Sequence, residues 1–330
     1  MLIYNHRTMK PAEAYPIIAD DLAAVDTVIR QRLSSEVPLI NTVADYIIAA
    51  GGKRMRPSLL ALTARALGYT GSNHYLLGAV IEFIHTATLL HDDVVDDSDL
   101  RRGRPTANQS FGNPTAVLVG DFLYSRAFQM MVEAKSMSIM QVLANATNTI
   151  AEGEVLQLMN INDPNIDESR YLQVIRYKTA KLFEAAGEVG AILAGADSSV
   201  QTAMAAYGRH LGTAFQLVDD ALDYAGDSAE LGKTVGDDLR EGKATLPLIY
   251  LLQKGNREVK IVVRKAIEEG HSEDFDMILN AIKTTGALDY TMDQAKREAE
   301  EATKALSVLP SSIYKDALMY YASFSVERKH

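Results

Sequence analysis

Six carboxylates stand in two short runs, Asp92-Asp93-Val94-Val95-Asp96 and Asp219-Asp220-Ala221-Leu222-Asp223. In each run two aspartates are adjacent and a third lies four places after the first. Residues at i and i+4 project from one face of a helix, so Asp92 pairs with Asp96 and Asp219 with Asp223. Both runs close an apolar stretch, Leu89-Leu90-His91 before one and Leu217-Val218 before the other. Two like charges about 4 Å apart repel by roughly 4 kcal/mol at an effective dielectric near 20, so such pairs persist only in bulk water or around cations. Oxygen-only ligands suit a hard ion, and Mg2+ takes one or two carboxylates, waters and substrate phosphates. A single acidic run reads as solvated surface. Two runs of the same spacing, each inside an apolar helix, read as facing Mg2+ sites with a diphosphate between them.

The basic residues fall where such an anion needs them. Gly51-Gly52-Lys53-Arg54-Met55-Arg56-Pro57 packs three cations after a glycine turn. The glycines allow close backbone approach, and the following helix start offers free N–H groups to an anion. Arg101-Arg102-Gly103-Arg104 follows the first aspartate run, and Gly232-Lys233 and Gly242-Lys243 follow the second. Between these last two lie Asp237, Asp238, Arg240 and Glu241, which read as a mobile loop of mixed charge. Lys178-Thr179 interrupts an apolar helical pattern. An exposed lysine is the plain reading, and contact with the leaving diphosphate the functional one. Gln216 shares the face of Asp219 and Asp220, where its amide either meets substrate or bonds a carboxylate. His85 lies two turns before Asp92 on nearly the same face, either as a core histidine or as a ligand.

The elements that carry these residues read as helices. Apolar residues recur at three- and four-residue steps over Ala12–Leu33, His74–Val95, Ser136–Met159 and Glu168–Ala194, and strand-like alternation is missing. Pro57, Pro114, Pro247 and Pro310 sit where helices can start, while Gly51-Gly52, Gly71 and Gly255 read as breaks. The proline-free stretch from Asn165 to Leu246 permits two long helices. Lys296–Leu306 reads as a solvated surface helix without chemistry. No linker marks a boundary, so the expectation is one all-α domain over residues 1–330, with the two motif helices facing across a deep central cavity.

Composition narrows the function classes. The 330 residues carry a formal net charge of −10, which argues against general nucleic-acid binding. There are no cysteines, so disulfides and thiolate metal sites are excluded. The seven histidines form no His-Glu-x-x-His pattern. The first ten residues lack the apolar core of a signal peptide, and no window reaches the length of a membrane span. A cytoplasmic protein is the expectation.

Taken in order, the motifs resemble those of the trans-isoprenyl diphosphate synthases, the polyprenyl synthetases. They are Gly-Gly-Lys-Arg-Met-Arg-Pro from Gly51, His-Asp-Asp-Val-Val-Asp from His91 with Arg-Arg-Gly after it, Lys178-Thr179, and Phe-Gln-Leu-Val-Asp-Asp-Ala-Leu-Asp-Tyr from Phe215 with Gly-Lys after it. The likeness runs from about Val37 to the C-terminus and is strongest to the bacterial branch that makes octaprenyl chains for quinones. It implies an all-helical fold, a homodimer and dependence on Mg2+. By the resemblance, Asp92, Asp96 and Asp219 are Mg2+ ligands, supported by Asp220 and Asp223. Lys53, Arg56, His85 and Arg102 resemble the isopentenyl diphosphate site. Arg101, Lys178, Thr179, Gln216 and Lys233 resemble the allylic diphosphate site. Ala221, where the family often has a bulkier residue, is the one departure.

The implied reaction is stepwise. Cations neutralise the allylic diphosphate as it leaves. The double bond of isopentenyl diphosphate attacks the allylic carbon, and the proton returns to the departing diphosphate, since no general base stands out. Water must be kept away. Small residues at Ala87 and Thr88, below Asp92, imply a long product; in short-chain relatives bulky residues near these positions close the tunnel. Helix geometry places Thr88 on the Asp92 face, whereas Ala87 enters through the resemblance alone. Phe128, Met130 and Met131 are the expected floor. Two rivals differ in class. A class I terpene cyclase would lack the Gly-Gly-Lys-x-x-Arg cluster, and a non-catalytic synthase subunit would have lost a motif.

Overall fold

A computed structural model of the chain describes residues 16–49, 51–101, 103–225, 235–271 and 273–327. It is all-α. After one 3-10 turn, Pro16–Ile18, come α1 (Ala19–Leu33), α2 (Pro38–Ala49), α3 (Met55–Ala66) and α4 (Asn73–Val95). A two-residue antiparallel ladder, Leu100–Arg101 with Arg104–Pro105, turns through Gly103 at φ 72°. Then follow α5 (Ala107–Phe111), α6 (Asn113–Glu133), α7 (Met137–Asn160) and α8 (Glu168–Ile175). A π-helical segment, Arg176–Ala180, leads into α9 (Lys181–Leu193) and the long α10 (Ser198–Ala225). The chain continues through α11 (Asp237–Arg240), α12 (Leu246–Lys254), α13 (Arg257–Glu269), α14 (Phe275–Thr284), α15 (Ala287–Ala305) and α16 (Ile313–Glu327).

The punctuation read from the sequence accounts for most boundaries. Pro57, Pro114 and Pro247 lie in the first turns of α3, α6 and α12, where a missing N–H is harmless. Pro310 comes three residues before α16; there Ser312 Oγ accepts the Lys315 amide at 3.1 Å and starts the helix instead. The expected helix over Glu168–Ala194 is α8, the π segment and α9 in succession. The mixed-charge loop is more ordered than expected where it is described, since Asp237–Arg240 forms a turn of helix. Lys296–Leu306 is not wholly solvated either. Ala295, Ala299 and Ala302 are buried, because alanines at three- and four-residue steps let one face of α15 pack closely.

The chain divides into two compact units. The first comprises residues up to Thr147, Leu182–Gly208 and Ala305–Tyr321; the second comprises Asn148–Lys181, Arg209–Lys304 and the residues from Ala322 on. In the first, α4 packs along α6 and against α1 and α3. A Cβ on Gly120 of α6 would collide with the His91 ring of α4, so the glycine leaves room for that ring between the two helices. Gly190 of α9 lies against backbone, where a Cβ would come 2.7 Å from the Leu60 carbonyl of α3, so this glycine sets how closely those two helices approach. In the second, Tyr224, Leu239, Leu248, Leu251, Val263, Ile267 and Ile282 form one buried cluster, while Tyr171, Ile175, Leu217, Val218, Leu246 and Ile249 belong to another. Among the described residues no helix is long and apolar enough to cross a membrane.

Candidate active site

In the first unit the acidic run ends α4, and Asp96 is its C-cap. Asp92 and Asp96 are half-buried, whereas Asp93 is 3% exposed. The reason is angular: a residue at i+1 turns about 100° from its neighbour, so Asp93 faces inward. Its Oδ1 accepts two bonds from Arg101, from Nε at 2.9 Å and Nη2 at 2.7 Å. Burial raises the Asp93 carboxyl above its usual range, the Arg101 guanidinium works against that, and the charges of Asp92 and Asp96 add to the rise. Asn108 Nδ2 donates to the Asp93 carbonyl at 3.2 Å, tying the run to α5. Arg101 thus stands in the ladder with its guanidinium on the motif.

The basic cluster leads into α3. Arg54 takes the left-handed conformation at φ 49° as N-cap and bonds Glu82 at 2.6 Å and Asp26 at 3.2 Å. It is a structural cation, and Glu82, 6% exposed, is its buried partner. Lys53 is exposed. Arg56 is half-buried, its guanidinium 4.3 Å from the centre of the Phe183 ring, a cation–π contact that fixes the plane of the fork. His85 is half-buried on α4. Arg102 lies outside the described residues.

In the second unit the same inward turn occurs. Asp220 of α10 is 4% exposed, while Asp219 and Asp223 are half-buried. The Tyr171 hydroxyl donates to Asp220 Oδ2 at 2.5 Å, and Gln216 Nε2 donates to its Oδ1 at 2.7 Å. Gln216 Oε1 in turn accepts from the Thr179 hydroxyl at 3.0 Å. One relay therefore runs from α8 through α10 to the π segment. Of the two roles open to the Gln216 amide, bonding a carboxylate is the one seen. Burial pushes the Asp220 carboxyl well above the usual range, with the Asp238 charge adding and the bonds from Tyr171 and Gln216 opposing. Asp223 accepts the amides of Asp237 and Asp238 at 3.2 Å each and so sits at the N-terminus of α11. Lys178 Nζ meets Glu154 of α7 at 2.6 Å. Lys233 lies outside the described residues.

Tyr171, Glu154 and the bond from Asp223 to α11 are features that the sequence reading did not single out. One signal was present: Lys178 and Thr179 fall where the spacing of Tyr171, Ile175 and Leu182 calls for apolar residues. A π turn widens the helix by a residue and recurs at functional sites. Among the described residues no group of three or more carboxylates or histidines is gathered to hold a metal.

The family model for polyprenyl synthetases matches residues 37–284. The octaprenyl diphosphate synthase of Escherichia coli (strain K12) is 51% identical over 313 residues, covering 94% of this chain and 97% of that protein. An all-trans-nonaprenyl-diphosphate synthase (geranyl-diphosphate specific) of Rhodobacter capsulatus is 46% identical over 312 residues, covering 94% and 96%. Among solved structures, a polyprenyl synthase from Caulobacter crescentus, complexed with calcium and isoprenyl diphosphate, superposes with a TM-score of 0.94 at 45% identity, covering 98% of this chain and 99% of that one. With the matched span covering every described motif, the chain belongs to the polyprenyl synthetase family and is a prenyltransferase, a long-chain trans-polyprenyl diphosphate synthase.

Proposed function

We propose that the enzyme adds isopentenyl diphosphate repeatedly to an allylic diphosphate primer of farnesyl type and releases octaprenyl diphosphate for quinone side chains. The 51% identity to the Escherichia coli octaprenyl synthase supports the eight-unit product. The Rhodobacter capsulatus relative, at 46%, favours nine units as the second reading.

The observation that carries the site reading is the division within each aspartate run. The second aspartate turns inward onto Arg101 or onto Tyr171 and Gln216, and the first stays half-buried beside solvent. We assign Asp92, Asp96 and Asp219 as Mg2+ ligands. The donor chemistry fits: a carboxylate or two on an ion leaves its remaining positions to water and diphosphate oxygens, the usual coordination of Mg2+. Calcium, with which the Caulobacter crescentus structure is complexed, is likewise a hard cation that prefers oxygen ligands. Bound Mg2+ supplies charge neutralisation on the leaving diphosphate.

The protein's own cations complete the assignment. Arg101, Lys178 and Lys233 meet the charge that develops on the allylic diphosphate, with Thr179 and Gln216 beside it. Asp220 acts one step back, by orienting Gln216. Lys53, Arg56, His85 and Arg102 hold isopentenyl diphosphate, and the Phe183 ring keeps the Arg56 fork aligned for a bidentate grip. Val155, Leu158 and Met159, exposed at three- and four-residue spacing on α7, support a homodimer interface. The family domain is taken as the whole chain, because the two units interleave along the sequence. The test is to incubate the purified chain with farnesyl diphosphate, labelled isopentenyl diphosphate and Mg2+, then size the dephosphorylated products. Chains of eight units are expected. Products that stop at farnesyl or geranylgeranyl length would overturn the long-chain reading.

A further inference from the structure

We propose that Glu154 is a positioning residue that pairs with Lys178, yields it to the incoming diphosphate, and takes it back when diphosphate leaves. This rests on the assignment of Lys178 to the allylic diphosphate. The ion pair is short, 2.6 Å, and both side chains stay reachable, Lys178 at 18% exposure and Glu154 at 29%. A diphosphate carries more charge and more acceptor oxygens than one carboxylate, so it outcompetes Glu154 for the ammonium. Once the prenyl group has moved, the same carboxylate competes with the spent diphosphate and shortens its stay. Product release limits turnover in many enzymes, and a resident counter-ion acts on that step.

The pair is not what joins α7 to the π segment. Gly153, the residue before Glu154, already brings the two backbones together. A Cβ there would lie 2.8 Å from the Lys178 amide nitrogen and 2.8 Å from Tyr177 Cβ. The contact between the elements therefore survives without the carboxylate. The far side of the segment is held separately by Thr179 on Gln216. Glu154 carries a charge aimed at a lysine whose assigned task is to bind an anion, a placement that competes with that binding for as long as it lasts.

The measurement is calorimetric binding of inorganic diphosphate, with Mg2+ present, to the full chain carrying Glu154→Gln, Lys178→Ala or both. Glu154→Gln should bind diphosphate about fivefold more tightly, the size expected for loss of one partly exposed competing pair. That gain should vanish in the double variant. In turnover, Glu154→Gln should lower KM for the allylic diphosphate, strengthen inhibition by inorganic diphosphate and leave KM for isopentenyl diphosphate alone; a merely structural role would not separate the two substrates. Glu154→Ala should repeat the result if the glutamine finds a new partner. Unchanged or weaker diphosphate binding in both Glu154 variants, with circular dichroism like that of the parent, overturns the proposal. A gain that persists without Lys178 also overturns it, because it would show direct repulsion of the ligand by Glu154. If Lys178→Ala alone leaves diphosphate binding untouched, the allylic-site assignment itself has failed.

Discussion

Asp93 and Asp220 occupy the same place in their runs and the same place in space relative to their helices: one step round from the outward carboxylates and buried. Each has an assigned partner, Arg101 for the first, Tyr171 and Gln216 for the second. The runs therefore mix two kinds of aspartate, and substitution should separate them. Asp92→Ala or Asp219→Ala is expected to cut turnover by orders of magnitude while leaving thermal stability near the parent value, since removing one charge from an acidic run relieves repulsion. Activity near normal at limiting Mg2+ would remove the metal assignment of that residue. Tyr171→Phe should behave oppositely, losing about 1–3 kcal/mol of stability because a buried carboxylate is left short of a donor. Denaturation midpoints alongside turnover give both readings. The helix that ends in the acidic run was legible from period and spacing. The identity of the inward partners was not, since Arg101 comes from a two-residue ladder and Tyr171 from another helix, and no local pattern announces such contacts.

At the scale of elements, the sequence located helices well where apolar period, proline and glycine agree. α4 was expected over His74–Val95 and runs Asn73–Val95; α7 was expected over Ser136–Met159 and runs Met137–Asn160. It did not identify the π segment, because the polar Lys178-Thr179 break in the apolar spacing reads equally well as an exposed turn of ordinary helix. It also missed polar ties between helices. Glu298 of α15 accepts from His210 of α10 at 2.6 Å and Arg176 at 3.1 Å, on a helix read as free of chemistry. Another tie joins the N-terminal helices. Asp21 of α1 bonds Arg65 of α3 at 2.6 Å and His74 of α4 at 2.9 Å, with Tyr69 and Tyr75 packed on the His74 ring. Burial depresses the His74 pKa, opposed by Asp21. Burial alone would raise the Asp21 carboxyl, but the bonds from Arg65 and His74 outweigh it and lower it. The signs agree. The unfolded chain takes up a proton at His74 below about pH 6.5 before the folded one does, so stability falls there as pH drops. Asp21 contributes stability above its unfolded value near 3.8 that is lost as pH falls through its lower folded value. Thermal midpoints measured down a pH series should decline below pH 6.5, and His74→Gln should remove that first decline while keeping the second. A parent profile flat from pH 7 to 5 would show that the His74 site does not control the packing of α1, α3 and α4.

For the molecule as a whole the open quantity is product length, and α4 with α6 is where it is testable. The end of α4 lies against the start of α6, with His91 Nε2 3.2 Å from the Val117 carbonyl and 3.4 Å from Asp121, so the packed helices run antiparallel. Met131 is eleven residues past Gly120, about 16 Å along the axis, level with Val80 and roughly 12 Å below Thr88. The Thr88 hydroxyl donates to the His85 carbonyl of its own helix at 2.9 Å. That bond satisfies the hydroxyl within its own helix. Thr88 is half-buried while Ala87 is fully buried, so Thr88 is the cleaner place for a bulky block. A tyrosine at Ala87 must also displace neighbours, at about 1–3 kcal/mol. Thr88→Phe should shift products toward geranylgeranyl length or shorter with little loss of stability. Met131, 1% exposed, separates floor from filler. As ordinary core, Met131→Ala would cost about 2–5 kcal/mol and leave products alone; as a floor, it lengthens them. Chromatography of dephosphorylated products from both variants decides. Unchanged products with Thr88→Phe would mean that the growing chain does not run down this face of α4.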